Sequence, residues 1–187
     1  MPDRQTLVSL ARQLEDGSLT AEARGWVAGL LEHAAAASLM IAPTVNGYKR
    51  YQPFQLAPNR IAWGRDNRGA MLRLLGGPGD PASRVENRAP DSTANPFYAF
   101  AAQIAAGLDG IARGLEMPEE TTSPYEGGAL LPGNLGAAIV AFEGARVFRE
   151  AFGDGFVDFL ARIKRFEWER YLAAVSEWEQ AEYFNLF

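Results

Sequence analysis

The chain has 187 residues, 48% of them hydrophobic and 22% charged, the balance of an ordinary globular domain long enough for one good core. A net charge of -5 gives no support to nucleic-acid or membrane binding, and the absence of cysteine excludes a disulfide, a thiolate nucleophile and a cysteine-based metal site. Acidic and basic residues are mixed from Asp3 onward, without the apolar core of a signal peptide, and no run approaches the roughly 20 apolar residues of a spanning helix, so the cytoplasm is the expected location.

Ala21 to Met40 carries Trp26, Val27, Leu30, Leu31, Leu39 and Met40 among alanines, which predicts one largely buried helix ended by Pro43. His33, the sole histidine, lies on it and reads as structural, because a metal site or proton shuttle built on it would lack nearby carboxylates. From Thr44 to Asn87, prolines at 53, 58, 78 and 81 mark turns between short strands such as Ala70 to Leu75. The run Gly76-Gly77-Pro78-Gly79 lacks the lysine and serine or threonine of a phosphate-binding loop and predicts a hairpin turn. Asn95-Pro96 starts a helix over Phe97 to Arg113, and Met117 to Pro132 reads as loop. Helices follow over Asn134 to Phe152 and Gly155 to Glu182. The aromatic residues Trp168, Tyr171, Trp178, Tyr183, Phe184 and Phe187 read as core and subunit interface rather than as a binding box.

The chemistry concentrates in the strand-and-turn segment. Asn46-Gly47-Tyr48-Lys49-Arg50 is followed by Trp63-Gly64-Arg65-Asp66-Asn67-Arg68, by Arg73, and by Arg84-Val85-Glu86-Asn87-Arg88-Ala89-Pro90-Asp91. Guanidinium groups are permanently charged planar donors that suit carboxylates and phosphates, so arginines spaced along strands point to a pocket for a multiply anionic ligand. The glutamate among them points to a cation. The plainer alternative is a salt-bridge ladder, since Arg84, Glu86 and Arg88 alternate and would share one face if the segment is a strand.

These motifs, with Ala94-Asn95-Pro96 after them, resemble in order and spacing the C-terminal part of the glutamine synthetase catalytic domain, from about Leu19 to the C-terminus. The resemblance implies an α+β fold in which helices back an incomplete, mostly antiparallel sheet. Residues 1–187 are then a single domain, the C-terminal portion of the catalytic domain, with the family's N-terminal β-domain absent and residues 1–18 only loosely matched. It also implies ATP-dependent ligation of the glutamate γ-carboxylate to ammonia or an organic amine, with Mg2+ or Mn2+. Carried over residue by residue, Arg50 and Arg88 hold glutamate, Arg68 stabilises the transferring phosphoryl group, Arg73 and Arg84 face nucleotide phosphates, and Glu86 ligates metal.

Two departures from the family pattern matter. Most metal-ligating glutamates and a metal-site histidine fall before the region matched, and Gln5 stands where a remnant of the His-x-Ser-Leu metal region would place a ligand. The resemblance further implies a ring oligomer with sites between subunits, or a complex with an N-terminal half; the competing class is an inactive relic or an assembly subunit. Second, where ammonia-using members carry a flap glutamate six residues after the Tyr-Lys-Arg motif, this chain has Leu56, which suits an acceptor with hydrocarbon bulk such as those of the γ-glutamyl-amine ligases.

Overall fold

A computed structural model describes residues 17–52, 57–184 and 186. Helix α1 (Ala21–Glu32) starts where the Thr20 hydroxyl accepts the Ala23 amide, and it buries Val27, Leu30 and Leu31. The single helix expected from Ala21 to Met40 divides at His33, whose φ of -98° and ψ of 8° separate α1 from α2 (Ala34–Ile41). Apolar pattern alone could not show this, because buried residues continue on both sides of the break. A short helix α3 (Val45–Tyr48) follows, capped by Thr44.

Strands β1 (Trp63–Arg65), β2 (Leu72–Leu75) and β3 (Arg84–Asn87) form a sheet in that order. β1 pairs parallel with β2, and β2 pairs antiparallel with β3, so the incomplete sheet is evenly mixed. Leu72 and Leu74 are buried on one face while Arg73 points to the other, the period-two alternation of a strand. The glycine-rich run forms the turn between β2 and β3, with Gly76 at φ +90° and Gly79 at φ +73°.

Helix α4 (Pro96–Ala112) has its Pro at the first turn and an Asn95 cap that accepts the Phe97 amide. It packs chiefly against α1, and glycines make the crossing close: a Cβ on Gly110 would lie 2.1 Å from the Gly25 carbonyl oxygen. The two long C-terminal helices expected also divide. The first becomes α5 (Leu135–Glu143) and α6 (Arg146–Phe152), interrupted at Gly144–Ala145. The second becomes α7 (Asp154–Ala173) and α8 (Glu177–Tyr183), separated where Ala174 turns extended and Ser176 with Glu179 forms a capping box.

Trp63, Met71, Leu72 and Leu74 from the sheet region join the same apolar core as Leu39, Met40, Leu135, Phe142 and Phe148 from the helices. Trp168 packs against this core, whereas Trp178 and Phe184 are exposed, so the aromatic cluster splits between core and surface. No helix among the described residues is long and apolar enough to cross a membrane.

Candidate functional site

The register of β2 and β3 places Arg73 directly opposite Glu86, and Arg73 Nη1 lies 3.3 Å from Glu86 Oε2. On its other side the same guanidinium meets Asp66: Nε donates to Oδ1 at 3.1 Å, and Nη2 makes a closer contact with that oxygen. The Arg73 bond and charge hold the Asp66 carboxyl below its ordinary range. Asp66 opens the turn that leads from β1 toward β2. Asn67 tightens that turn by accepting the Gly69 amide at 3.0 Å, and exposed Arg68 is carried on it beside Asp66.

Arg50 belongs to a second group. Its Nη1 donates to the Ala89 carbonyl at 2.7 Å, its Nε lies 3.9 Å from Asp91 Oδ2, and its guanidinium sits 5.2 Å from the centre of the Tyr51 ring. The Tyr51 hydroxyl donates to the same Ala89 carbonyl, and burial pushes its pKa up to about 12 despite the neighbouring Arg50 charge. Tyr48, also raised by burial, donates to the Ser38 carbonyl. Both tyrosines are therefore neutral donors that hold the Arg50 segment. Burial would raise Asp91, but the Thr93 hydroxyl and amide, with Arg50, outweigh it and hold that carboxyl low.

Of the six residues singled out from the sequence, the sheet brings Arg73 and Glu86 into contact, with Arg68 on the adjoining turn. Arg88 continues β3, half-buried, with its amide bonded to the Met71 carbonyl at 2.9 Å. Exposed Arg84 turns back on its own segment, Nη1 donating to the Ala82 carbonyl at 2.9 Å. Leu56 and Gln5 lie outside the described residues.

Sequence reasoning missed the acidic partners. Asp66 and Asp91 stand inside the quoted motifs, and their placement among arginines was the available signal. It missed Arg60 as well, which binds the 117–131 segment to the approach of β1. Its Nε donates to the Tyr125 carbonyl at 3.0 Å and its Nη1 to the Gly127 carbonyl at 2.5 Å. The same segment accepts the Trp63 indole N–H at the Pro118 carbonyl, 2.8 Å away. His33 is a correction. A carboxylate does stand near it, because the break after α1 lets Nε2 come within 2.6 Å of Asp109 Oδ2 on α4. Arg113 joins the same carboxylate at 2.9 Å.

The described residues hold no group of three or more His, Asp or Glu arranged to take a metal ion. Glu86 offers one carboxylate, already paired with Arg73, whereas Mg2+ takes six oxygen ligands, several of them usually water. These residues alone do not fit the metal.

The family model described as "Glutamine synthetase, catalytic domain" matches residues 7–183. The chain is 40% identical over 197 residues to a γ-glutamylanilide synthase from an Acinetobacter species, covering 98% of this chain and 39% of that protein. It is 40% identical over 168 residues to a glutamine synthetase from Methanocaldococcus jannaschii, covering 84% of this chain and 37% of that one. A γ-glutamylethanolamide synthetase from Streptomyces coelicolor is 38% identical over 88% of this chain and 36% of its own length. Among solved structures, GmaS in complex with ADP superposes with a TM-score of 0.83 at 31% identity, over 94% of this chain and 42% of that one. The chain thus spans well under half the length of these relatives. A match across almost every described residue, in sequence and in fold, makes this chain a member of the glutamine synthetase family, corresponding to the C-terminal part of its catalytic domain.

Proposed function

We propose that the chain supplies the arginine-rich half of an ATP-dependent ligase that joins an amine to the γ-carboxylate of glutamate, and that its acceptor is an organic amine. A γ-carboxylate oxygen attacks the γ-phosphorus of ATP and ADP leaves. The amine nitrogen then attacks the acyl carbon, loses a proton, and phosphate departs carrying the carboxylate oxygen. The observation that carries this reading is the cross-strand placement of Arg73 opposite Glu86 with Arg68 on the adjoining turn. Cationic donors gathered in this way would suit the charge that develops on a transferring phosphoryl group.

Arg68 is assigned to that group, Arg73 and Arg84 to nucleotide phosphates, and Arg50 and Arg88 to glutamate. Arg50 is supported in this by the Ala89 carbonyl and the Tyr51 ring, which fix its direction. A bound Mg2+ or Mn2+ would neutralise phosphate charge; the described residues supply it with one carboxylate, Glu86, too few to hold it. An N-terminal half or a second copy would complete the site. Exposed Phe97 and Phe100 on α4, Phe159 and Phe166 on α7 and Trp178 on α8 offer apolar surface for such contacts.

The acceptor reading is supported by Leu56 in the position of the family's flap glutamate and by likeness to the γ-glutamylanilide and γ-glutamylethanolamide synthetases. Each methylene buried at an apolar acceptor site contributes about 0.8 kcal/mol. The test joins the chain to the N-terminal part of a family member and measures kcat/KM for ammonium, ethanolamine and aniline. Organic amines are expected to exceed ammonium, with Leu56→Glu moving the ratio back; a wide preference for ammonium that Leu56→Glu leaves unchanged would refute the acceptor assignment.

A further inference from the structure

Asp66 is the only residue other than glycine with positive φ among the described residues, at +46°. Its amide donates to the Leu74 carbonyl at 2.9 Å, so the bend after β1 is fixed at both backbone and side chain. That left-handed bend, which aspartate tolerates better than bulkier residues, turns the carboxylate back over β2 onto Arg73. The Arg73 side chain is only 16% exposed, while that of Asp66 is 77% exposed. The arginine's Nε and Nη2 are thus taken by a carboxylate that can swing into water, and its Nη1 is taken by Glu86. A carboxylate oxygen on a guanidinium fork makes the contacts a phosphate oxygen would make.

We propose that Asp66 is a tethered competitor for the nucleotide phosphates at Arg73, and that displacing it sets the affinity for the polyphosphate. The inference rests on the nucleotide role given to Arg73 above and assigns a new role, affinity tuning, to Asp66. The carboxylate end of the pair is open to water, so the competitor is displaced readily and its removal is expected to tighten binding by about two- to fivefold.

The test is calorimetric titration of the full chain with inorganic pyrophosphate at low salt. It compares wild type, Asp66→Asn, Arg73→Ala, the double variant, and Glu150→Gln on the α6 surface as a charge control. Asparagine keeps the left-handed bend accessible while removing the charge. Asp66→Asn is expected to bind about two- to fivefold more tightly, Glu150→Gln to bind like wild type, and Arg73→Ala to erase the gain. The proposal is overturned if Asp66→Asn binds no better than wild type, if Glu150→Gln gives an equal gain, or if the gain persists without Arg73. Weakening by Arg73→Ala with no gain from Asp66→Asn removes only the competitor role, whereas no effect of Arg73→Ala removes the nucleotide role as well.

Discussion

Replacing Gly110 by alanine tests the helix crossing that sets the site's framework. A Cβ there would lie 2.1 Å from the Gly25 carbonyl oxygen and 2.6 Å from the Gly29 Cα, both backbone atoms that cannot rotate away. Restoring ordinary contact at 3.4 Å requires α4 to move from α1 by about 1.3 Å, and overpacking of this kind costs typically about 1–3 kcal/mol, here at the upper end. Alanine in place of glycine recovers about 1 kcal/mol of helix propensity, which leaves a net loss of about 2 kcal/mol. For a chain of this size that lowers Tm by about 4–8 °C. Gly155→Ala is the matched control, because its Cβ would meet nothing within 4 Å, and it should raise stability by about 0.4–1 kcal/mol. Thermal unfolding followed by circular dichroism reads both. If Gly110→Ala is as stable as wild type, or if both substitutions shift Tm in the same direction, the close α1–α4 crossing is wrong.

Three further outcomes follow from the site. Burial would raise the Asp109 carboxyl, but His33 and Arg113 outweigh it and hold it below the ordinary aspartate value of about 3.9, so the unfolded chain takes up its proton first as pH falls. That stabilisation is complete above about pH 5 and is lost as the pH drops through the lowered value; the urea midpoint of Asp109→Asn should therefore fall less than that of wild type between pH 5 and pH 3. In a completed ligase, Arg68→Ala should lower kcat by about 10²–10³ while leaving KM for glutamate nearly unchanged, and a change confined to KM would move Arg68 out of the phosphoryl-transfer role. The isolated chain should show no glutamate-dependent ATP hydrolysis above background, and turnover abolished by Glu86→Ala would show that its metal ligands suffice.

Motif order in the sequence identified the family and the arginine set, because those residues are read by type and spacing. The alternation of Arg84, Glu86 and Arg88 puts them on one face only if the segment is a strand; the structure makes 84–87 a strand, and its pairing opposite Arg73 joins the candidate metal ligand to the candidate nucleotide ligand. The helix start at Asn95 was legible because Asn95-Pro96 stands in the sequence. Helix breaks at His33, Gly144–Ala145 and Ala174 were missed. Gly144 and the Ser176–Glu179 capping box were readable signals for two of them, whereas the His33 break lies within an apolar run and accompanies a contact 76 positions away at Asp109. The acidic partners escaped for a related reason: whether Asp66 faces Arg73 depends on a left-handed bend, and composition does not reveal it. The carbonyls that hold Arg50 and Arg60 are backbone atoms, invisible to any reading of side chains.

Isotope transfer in the completed ligase reads whether these arginines serve phosphoryl transfer to the glutamate γ-carboxylate. Glutamate carrying ¹⁸O in its γ-carboxylate is turned over with ATP and an organic amine, and the released phosphate is analysed by mass spectrometry. One ¹⁸O atom is expected in each phosphate released, with the rate of its appearance strongly reduced by Arg68→Ala. Phosphate without ¹⁸O, released at the rate of product formation, would contradict it.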